Sequence, residues 1–189
     1  MPLARIARSA VCAALLATLA ARAADVPRKS PDFAVSLNSG KQIKLSDYSG
    51  KTVAMIFILT TCPHCQAAIR CLVQEQNSLG PRGFQAIASA IEENAAAHVP
   101  DFVRDFKPPF PVGSSALMSA LDFMQHPTGV QPRMPLIAFI DRQGIIRAQY
   151  EGYETFFAED KMSANIHAKI MELLGGATQK GSQGVPPKK

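Results

Sequence analysis

The 189 residues lack a second tight pair of cysteine or histidine. Cys62 and Cys65 have the spacing of half a zinc site, but Cys71 stands alone and His64, His98, His126 and His167 are scattered. A zinc centre needs four ligands, so no metal is expected. There is no apolar run of about 20 residues, the length a membrane-spanning helix requires. There is no basic stripe with interleaved aromatics, so nucleic acid is not implied as a partner. Internal repeats are absent too, which argues against solenoids. Tryptophan does not occur at all.

Charge is modest once its location is considered. The chain carries 20 Lys and Arg against 15 Asp and Glu, or +5. Residues 1–23 hold Arg5, Arg8 and Arg22 and no acid, which leaves the remainder at +2. That first segment reads as a signal peptide. A positive start leads into a short apolar stretch from Ala10 to Ala21, and Ala21-Arg22-Ala23 has the small-x-small form that precedes cleavage. The mature chain would then begin at Ala24 in the periplasm or outside the cell. An uncleaved membrane anchor is the competing reading. Cys12 would leave with the signal. Residues 24–31 read as a polar lead-in, 32–175 as the domain, and 176–189 as a low-complexity, disordered tail.

The chemistry concentrates where Val53 to Leu59, apolar and β-branched, meets Thr60-Thr61-Cys62-Pro63-His64-Cys65. This order predicts a buried strand, a short turn and a helix whose first turn carries Cys62. A helix start has unpaired N–H groups and the positive end of the macrodipole. Both favour a thiolate, the reactive form of cysteine. Pro63 suits a first turn, where its missing N–H costs nothing. Cys65 lies one turn along, within reach of a disulfide with Cys62. A purely structural bridge there would constrain little, because the loop it closes is tiny. The segment therefore reads as a pair that cycles between dithiol and disulfide.

Along the chain, Asp32–Leu37 and Gln42–Leu45 alternate as a hairpin. A helix follows Cys65 and ends at Gly80-Pro81. Gly83–Ile91 reads as a second core strand. Glu92 and Glu93, at the end of that strand, are expected to face solvent, with an approach to the cysteine pair as the alternative. A helix carries Val99, Phe102 and Phe106, with Pro100 in its first turn. Phe110–Gly113 reads as an edge strand, since Pro111 cannot donate to a central ladder. Ser114 or Ser115 would cap a helix through Met124. Leu136–Ile140 and Ile145–Tyr150 form a hairpin about Asp141–Gly144, and a last helix ends at Gly175-Gly176. Strands alternating with helices imply an α/β domain: a mixed sheet with helices on both faces. Cys71 is expected to be a small buried apolar residue, with a third redox cysteine or an intermolecular bridge as the alternative.

Three stretches together resemble the thioredoxin-like superfamily, in particular the exported TlpA/ResA-like and AhpC/TSA (redoxin) group. They are Pro31-Asp32-Phe33 through Leu45-Ser46-Asp47-Tyr48-Ser49-Gly50-Lys51, then Leu59 to Cys65, then Gly129-Val130 through Met134-Pro135-Leu136 to Gly144. The resemblance implies a thioredoxin-like fold with an added N-terminal β-hairpin. It implies thiol–disulfide oxidoreductase activity, with Cys62 attacking, Cys65 resolving and a redox disulfide between them. Pro135 would be a cis-proline that aligns a client's extended backbone, and Met134, Pro63 and Thr61 would complete the client-binding surface. No cofactor is implied. The partners would be a thiol- or disulfide-bearing client protein and a membrane or periplasmic redox partner, with the protein itself monomeric.

Departures from the group's pattern are informative. Thr61 stands where a bulky aromatic is usual, Ile56 where thioredoxins bury an acid, and Ala68 where ResA-like members place Glu. No carboxylate is evident for deprotonating Cys65. Pro63-His64 resembles Dsb-type oxidases, and an imidazole beside Cys62 can stabilise its thiolate. Two alternatives remain open. A thiol peroxidase with antioxidant activity would want Thr at position 59, which is Leu59. A copper-delivery or chaperone module could use the same sulfurs with Met118, Met124 or Met134.

Overall fold

A computed structural model describes residues 24–175. The expected signal peptide and tail, residues 1–23 and 176–189, lie outside the described residues. Among the described residues, eight strands form one sheet: β1 Arg28–Lys29, β2 Ala34–Ser36, β3 Gln42–Lys44, β4 Thr52–Ile58, β5 Phe84–Ala90, β6 Val112–Ser114, β7 Leu136–Ile140 and β8 Ile145–Glu151. The same described residues form four α-helices: α1 Pro63–Leu79, α2 Ala95–Phe106, α3 Leu117–Met124 and α4 Met162–Gly175. The strand order is β1-β8-β7-β4-β5-β6-β2-β3. The centre, β4-β5-β6, is parallel, and the flanking pairs are antiparallel.

β4 is buried along its whole length, which explains its unbroken apolar run. Its side chains alternate between two apolar layers. Ala54, Ile56 and Ile58 meet α1, α2 and α4 on one face; Val53, Met55 and Phe57 meet α3 and the N-terminal segment on the other. Phe57 packs edge-on against Phe33 and Phe123, with centroids 5.1 and 5.7 Å away. The expected architecture, a thioredoxin-like mixed sheet with helices on both faces and an N-terminal hairpin, is the one observed.

Several local expectations change. The lead-in contains β1, which pairs with β8 at Arg28↔Ile146 and forms one border of the sheet. β6 is not an edge strand, because β2 joins its outer side at Ser36↔Ser114. Pro111 lies just before β6 and serves only as an acceptor, taking the Ala88 N–H at 3.0 Å. Gly113 is needed there: a Cβ would stand 2.3 Å from the Ser36 carbonyl oxygen. Pro100 lies inside α2 rather than in its first turn, because the helix begins at Ala95 after a left-handed Asn94. The residue preceding α3 is Ala116, with no side-chain cap. Ser115 instead accepts a hydrogen bond from Ser89 at 2.8 Å.

α1 and α4 are joined by Glu75, buried at 8% exposure, and His167, whose Nδ1 is 2.9 Å from Glu75 Oε2. Removing the imidazole would leave a buried carboxylate without that partner. His167→Ala is expected to cost about 1–3 kcal/mol in urea unfolding. An unchanged midpoint would mean that water replaces the histidine fully.

Candidate active site

β4 stops at Ile58, and the chain turns through Leu59, Thr60 and Thr61 into α1. Cys62 is the N-cap residue of α1, with extended backbone (φ −77°, ψ 120°) and Pro63 as the first helical residue. The Cys65 backbone N–H donates to Cys62 Sγ at 3.5 Å. The Cys62 carbonyl accepts the Gln66 N–H at 3.0 Å. The Gln66 side chain then donates back to the Thr60 carbonyl at 2.9 Å, bracing the turn. Both cysteines are free thiols, Cys62 half-buried and Cys65 fully buried. Thr61 and Pro63 are exposed, and His64 is half-buried.

Burial pushes the Cys65 thiol well up from its ordinary value; a hydrogen bond from the Leu59 backbone opposes this, while Cys62 and the charge of Glu92 add to it. The sign has a consequence for the reduced protein. An unfolded cysteine ionises near pH 8.5, whereas folded Cys65 remains protonated there. The unfolded chain then binds fewer protons, so stability falls as pH rises above about 8.5, by up to about 1.4 kcal/mol per unit. Cys65→Ala should flatten that slope. Urea midpoints of both reduced proteins at pH of about 7 and about 9.5 check it, and parallel curves would contradict it.

Glu92 corrects the expectation of a solvent-facing acid. Glu93 is exposed, but Glu92 turns inward. Its Oε1 accepts the Thr60 backbone N–H at 3.1 Å and also the Thr60 hydroxyl. Oε2 is buried without a hydrogen-bond partner. His98 Nδ1 lies 3.6 Å from Oε1. The strand register explains the position. β4 and β5 run parallel with Ile58 opposite Ala90, so residue 92 emerges level with residue 60. Counting forward from two adjacent parallel strands would have found it. The carboxylate at this turn therefore comes from the segment just after β5, not from the positions on β4 and α1 where the resemblance looks for one.

The Met134–Pro135 bond is cis, as the resemblance implies. β7 pairs with β4 at Phe57↔Leu136, so the preceding Met134 and Pro135 lie beside the start of the Cys62 turn. Met134 packs against both apolar layers. After β8, the Gly152 N–H donates to the Arg133 carbonyl at 2.7 Å. A Cβ on Gly152 would stand 2.1 Å from the Met134 carbonyl oxygen, so only glycine permits this approach. Tyr153 follows, 6.1 Å from the His64 ring, with the Arg133 guanidinium 5.6 Å from its ring centre. Neither Tyr153 nor Arg133 carries a sequence signal, because their proximity depends on the β8 turn meeting the Pro135 loop.

Cys71 packs against the apolar core on the α1 side, in keeping with the apolar role expected of it, but is not fully buried. It is half-buried and lines a cavity of about 430 Å3 with Pro63, His64, Ala67, Arg70 and Ser163. Burial pushes its thiol up, offset in part by a side-chain hydrogen bond with Ser163.

Comparisons with known proteins agree with this geometry. The Redoxin family profile matches residues 26–165. The chain is 28% identical over 131 residues to the thiol-disulfide oxidoreductase ResA of Bacillus thuringiensis, covering 69% of this chain and 72% of that protein. The ResA of Bacillus anthracis matches at 28% over 130 residues, with the same coverage. A Chlorobium tepidum structure assigned as thiol:disulfide interchange protein DsbE superposes with a TM-score of 0.62 at 26% identity, over 77% of this chain and 98% of that one. A second Chlorobium tepidum structure, a thioredoxin-family thiol:disulfide interchange protein, gives 0.66 at 23% identity, over 81% and 100%, and supports the fold. With a redox-type cysteine pair at the head of α1 and a family profile over most of its length, the chain belongs to the Redoxin family, as a thioredoxin-like thiol–disulfide oxidoreductase.

Proposed function

We propose that the protein exchanges thiols and disulfides with client proteins outside the cytoplasm, through Cys62 and Cys65. The observation carrying this is the sulfur of Cys62 at an accessible helix start, 3.5 Å from the Cys65 N–H, with the Cys65 thiol buried behind it. In the reducing direction, the Cys62 thiolate attacks one sulfur of a client disulfide. That S–S bond breaks, the client's other sulfur leaves as a thiolate, and a Cys62–client mixed disulfide forms. Cys65 then loses its proton and attacks Cys62 Sγ. The Cys62–Cys65 bond forms, and the second client thiol leaves. The client gains two electrons and the protein loses two; oxidation of a client dithiol runs the same steps backwards.

Each neighbour has a role in this scheme. Glu92, with one buried oxygen free of hydrogen bonds, takes the Cys65 proton, with His98 beside it on the solvent side. His64 supports negative charge on Cys62. Pro135 and Met134 align the client's extended backbone, and Thr61 and Pro63 form the rim that it meets. A membrane or extracytoplasmic partner regenerates the pair, and the protein works as a monomer without a cofactor. The signal-like residues 1–23 support the location; among the described residues no helix is long and apolar enough to cross a membrane. N-terminal sequencing of the exported protein should begin at Ala24.

The direct test is equilibration in oxidised and reduced dithiothreitol, followed by differential alkylation. A Cys62–Cys65 bridge that forms and opens reversibly is expected. Failure to bridge, or a bridge involving Cys71, would overturn the scheme. Glu92→Gln should slow decay of the Cys62–client mixed disulfide by about a hundredfold or more near neutral pH, the lower end of the range of general-base effects. The deficit should narrow as pH rises and solvent base suffices. Unaltered decay would remove Glu92 from the proton path.

A further inference from the structure

Tyr153 is held in a way that folding alone does not explain. Its φ is +68°, a left-handed conformation that glycine adopts freely and a bulky residue does not. Its side chain is 77% exposed, so the aromatic ring buries little in return. The turn is fixed on both sides. Gly152 is pinned to the Arg133 and Met134 carbonyl region, and the Glu154 carboxylate accepts the Glu151 N–H at 2.7 Å. An unfavourable backbone that displays an aromatic face beside a reactive centre is a common signature of a working surface.

Arg133 supplies the second half. It is exposed, its guanidinium lies over the Tyr153 ring, and among the described residues it makes no ion pair. Two acids close to Tyr153 in the chain already have contacts of their own: Glu154 accepts the Glu151 N–H, and Glu151 sits 3.4 Å from His126 Nε2. The cation is therefore available to a carboxylate from outside.

We propose that Tyr153 and Arg133 form a recognition wall that selects client segments bearing an acidic side chain close to the reacting cysteine. This rests on the exchange chemistry proposed above. A client strand lying along Met134–Pro135 with its sulfur at Cys62 passes between His64 and Arg133. The Tyr153 face gives its methylene groups an apolar floor, and the guanidinium pairs with Asp or Glu one or two positions from the cysteine. The residue before Cys62 is Thr61, not an aromatic, and the exposed aromatic ring near the site is Tyr153 on the turn after β8, 6.1 Å from the His64 ring.

The test uses two synthetic nonapeptides, identical except for Glu or Lys on either side of one cysteine, each activated as a mixed disulfide with pyridinethiol. Neutral 2,2′-dithiodipyridine serves as the small reference disulfide. Second-order rates with the reduced protein are read from pyridinethione release. The Glu peptide should react about fivefold faster than the Lys peptide at low salt, a preference that salt erodes. Arg133→Gln should bring the two peptides within about twofold of each other. Tyr153→Gly, which relieves the backbone, should fold at least as stably yet lower the ratio of peptide to reference rate; Tyr153→Phe should preserve that ratio. Equal peptide rates in the unmodified protein overturn the proposal, as does an Arg133→Gln variant that keeps the preference. So does a Tyr153→Gly variant that slows the reference disulfide as much as the peptide. A protein inert to the reference disulfide overturns the exchange chemistry itself, and the wall with it.

Discussion

Cys62→Ser should abolish disulfide exchange, whereas Cys65→Ser should leave the first attack intact and stop the cycle halfway. The distinction follows from where the two sulfurs sit. Cys62 is half-exposed and takes an N–H from the first turn of α1, while Cys65 is buried behind it. A serine hydroxyl ionises far too weakly to replace a thiolate as nucleophile. Loss for Cys62→Ser should therefore exceed about a thousandfold in insulin reduction, down to background, in line with removal of other covalent nucleophiles. Cys65→Ser should accumulate a mixed disulfide with its client, visible as a mass increment on the intact protein and removed by dithiothreitol. If Cys65→Ser is silent and Cys62→Ser forms the adduct, the two roles are reversed. If Cys71→Ser alone abolishes turnover, the working thiol lies in the α1 cavity.

Phe57→Ala should give the largest loss of stability among single core truncations. The ring is fully buried, one residue from the end of β4, and meets Phe33 from the N-terminal segment and Phe123 from α3. Those two rings are themselves 5.3 Å apart, so removal of the third leaves a void that neither can fill without moving its own element. Truncations of this kind cost about 3–5 kcal/mol. Against a typical total of about 5–15 kcal/mol, this variant approaches the unfolding threshold. Urea denaturation with an unchanged slope and a lowered midpoint checks it. A loss under about 1.5 kcal/mol would show that the layer repacks. Activity should fall along with stability, since Phe57 also pairs across β4 with Leu136, the residue after Pro135.

Legibility from sequence divided by range. β4, α1 and the cysteine pair could be read because strand period, turn and helix cap are local and reinforce each other. Pro135 became legible only through the family resemblance, since nothing local distinguishes a cis bond there. β1 escaped notice because Arg28-Lys29 has no apolar period; its pairing is backbone contact with a strand more than a hundred residues away. Glu92 looked like a surface acid because Glu92-Glu93 is locally polar, and only the parallel register of β4 and β5 turns it toward Thr60. Tyr153 and Arg133 were invisible for the same reason, being brought together by a glycine whose value depends on a carbonyl distant in sequence.

The two borders of the sheet have a common origin. β1 and the β2–β3 hairpin occupy opposite margins, yet both come from one stretch of fewer than 20 residues near the domain's start. A chain that emerges amino end first has nothing to close against on the β1 side until residue 146 arrives to meet Arg28. Such long-range closure makes that margin a late event in assembly. Until β1 docks, the outer edge of β8 stays open to any neighbouring chain, and a cut between Lys29 and Asp32 would release one hem of the fabric while leaving the other sewn.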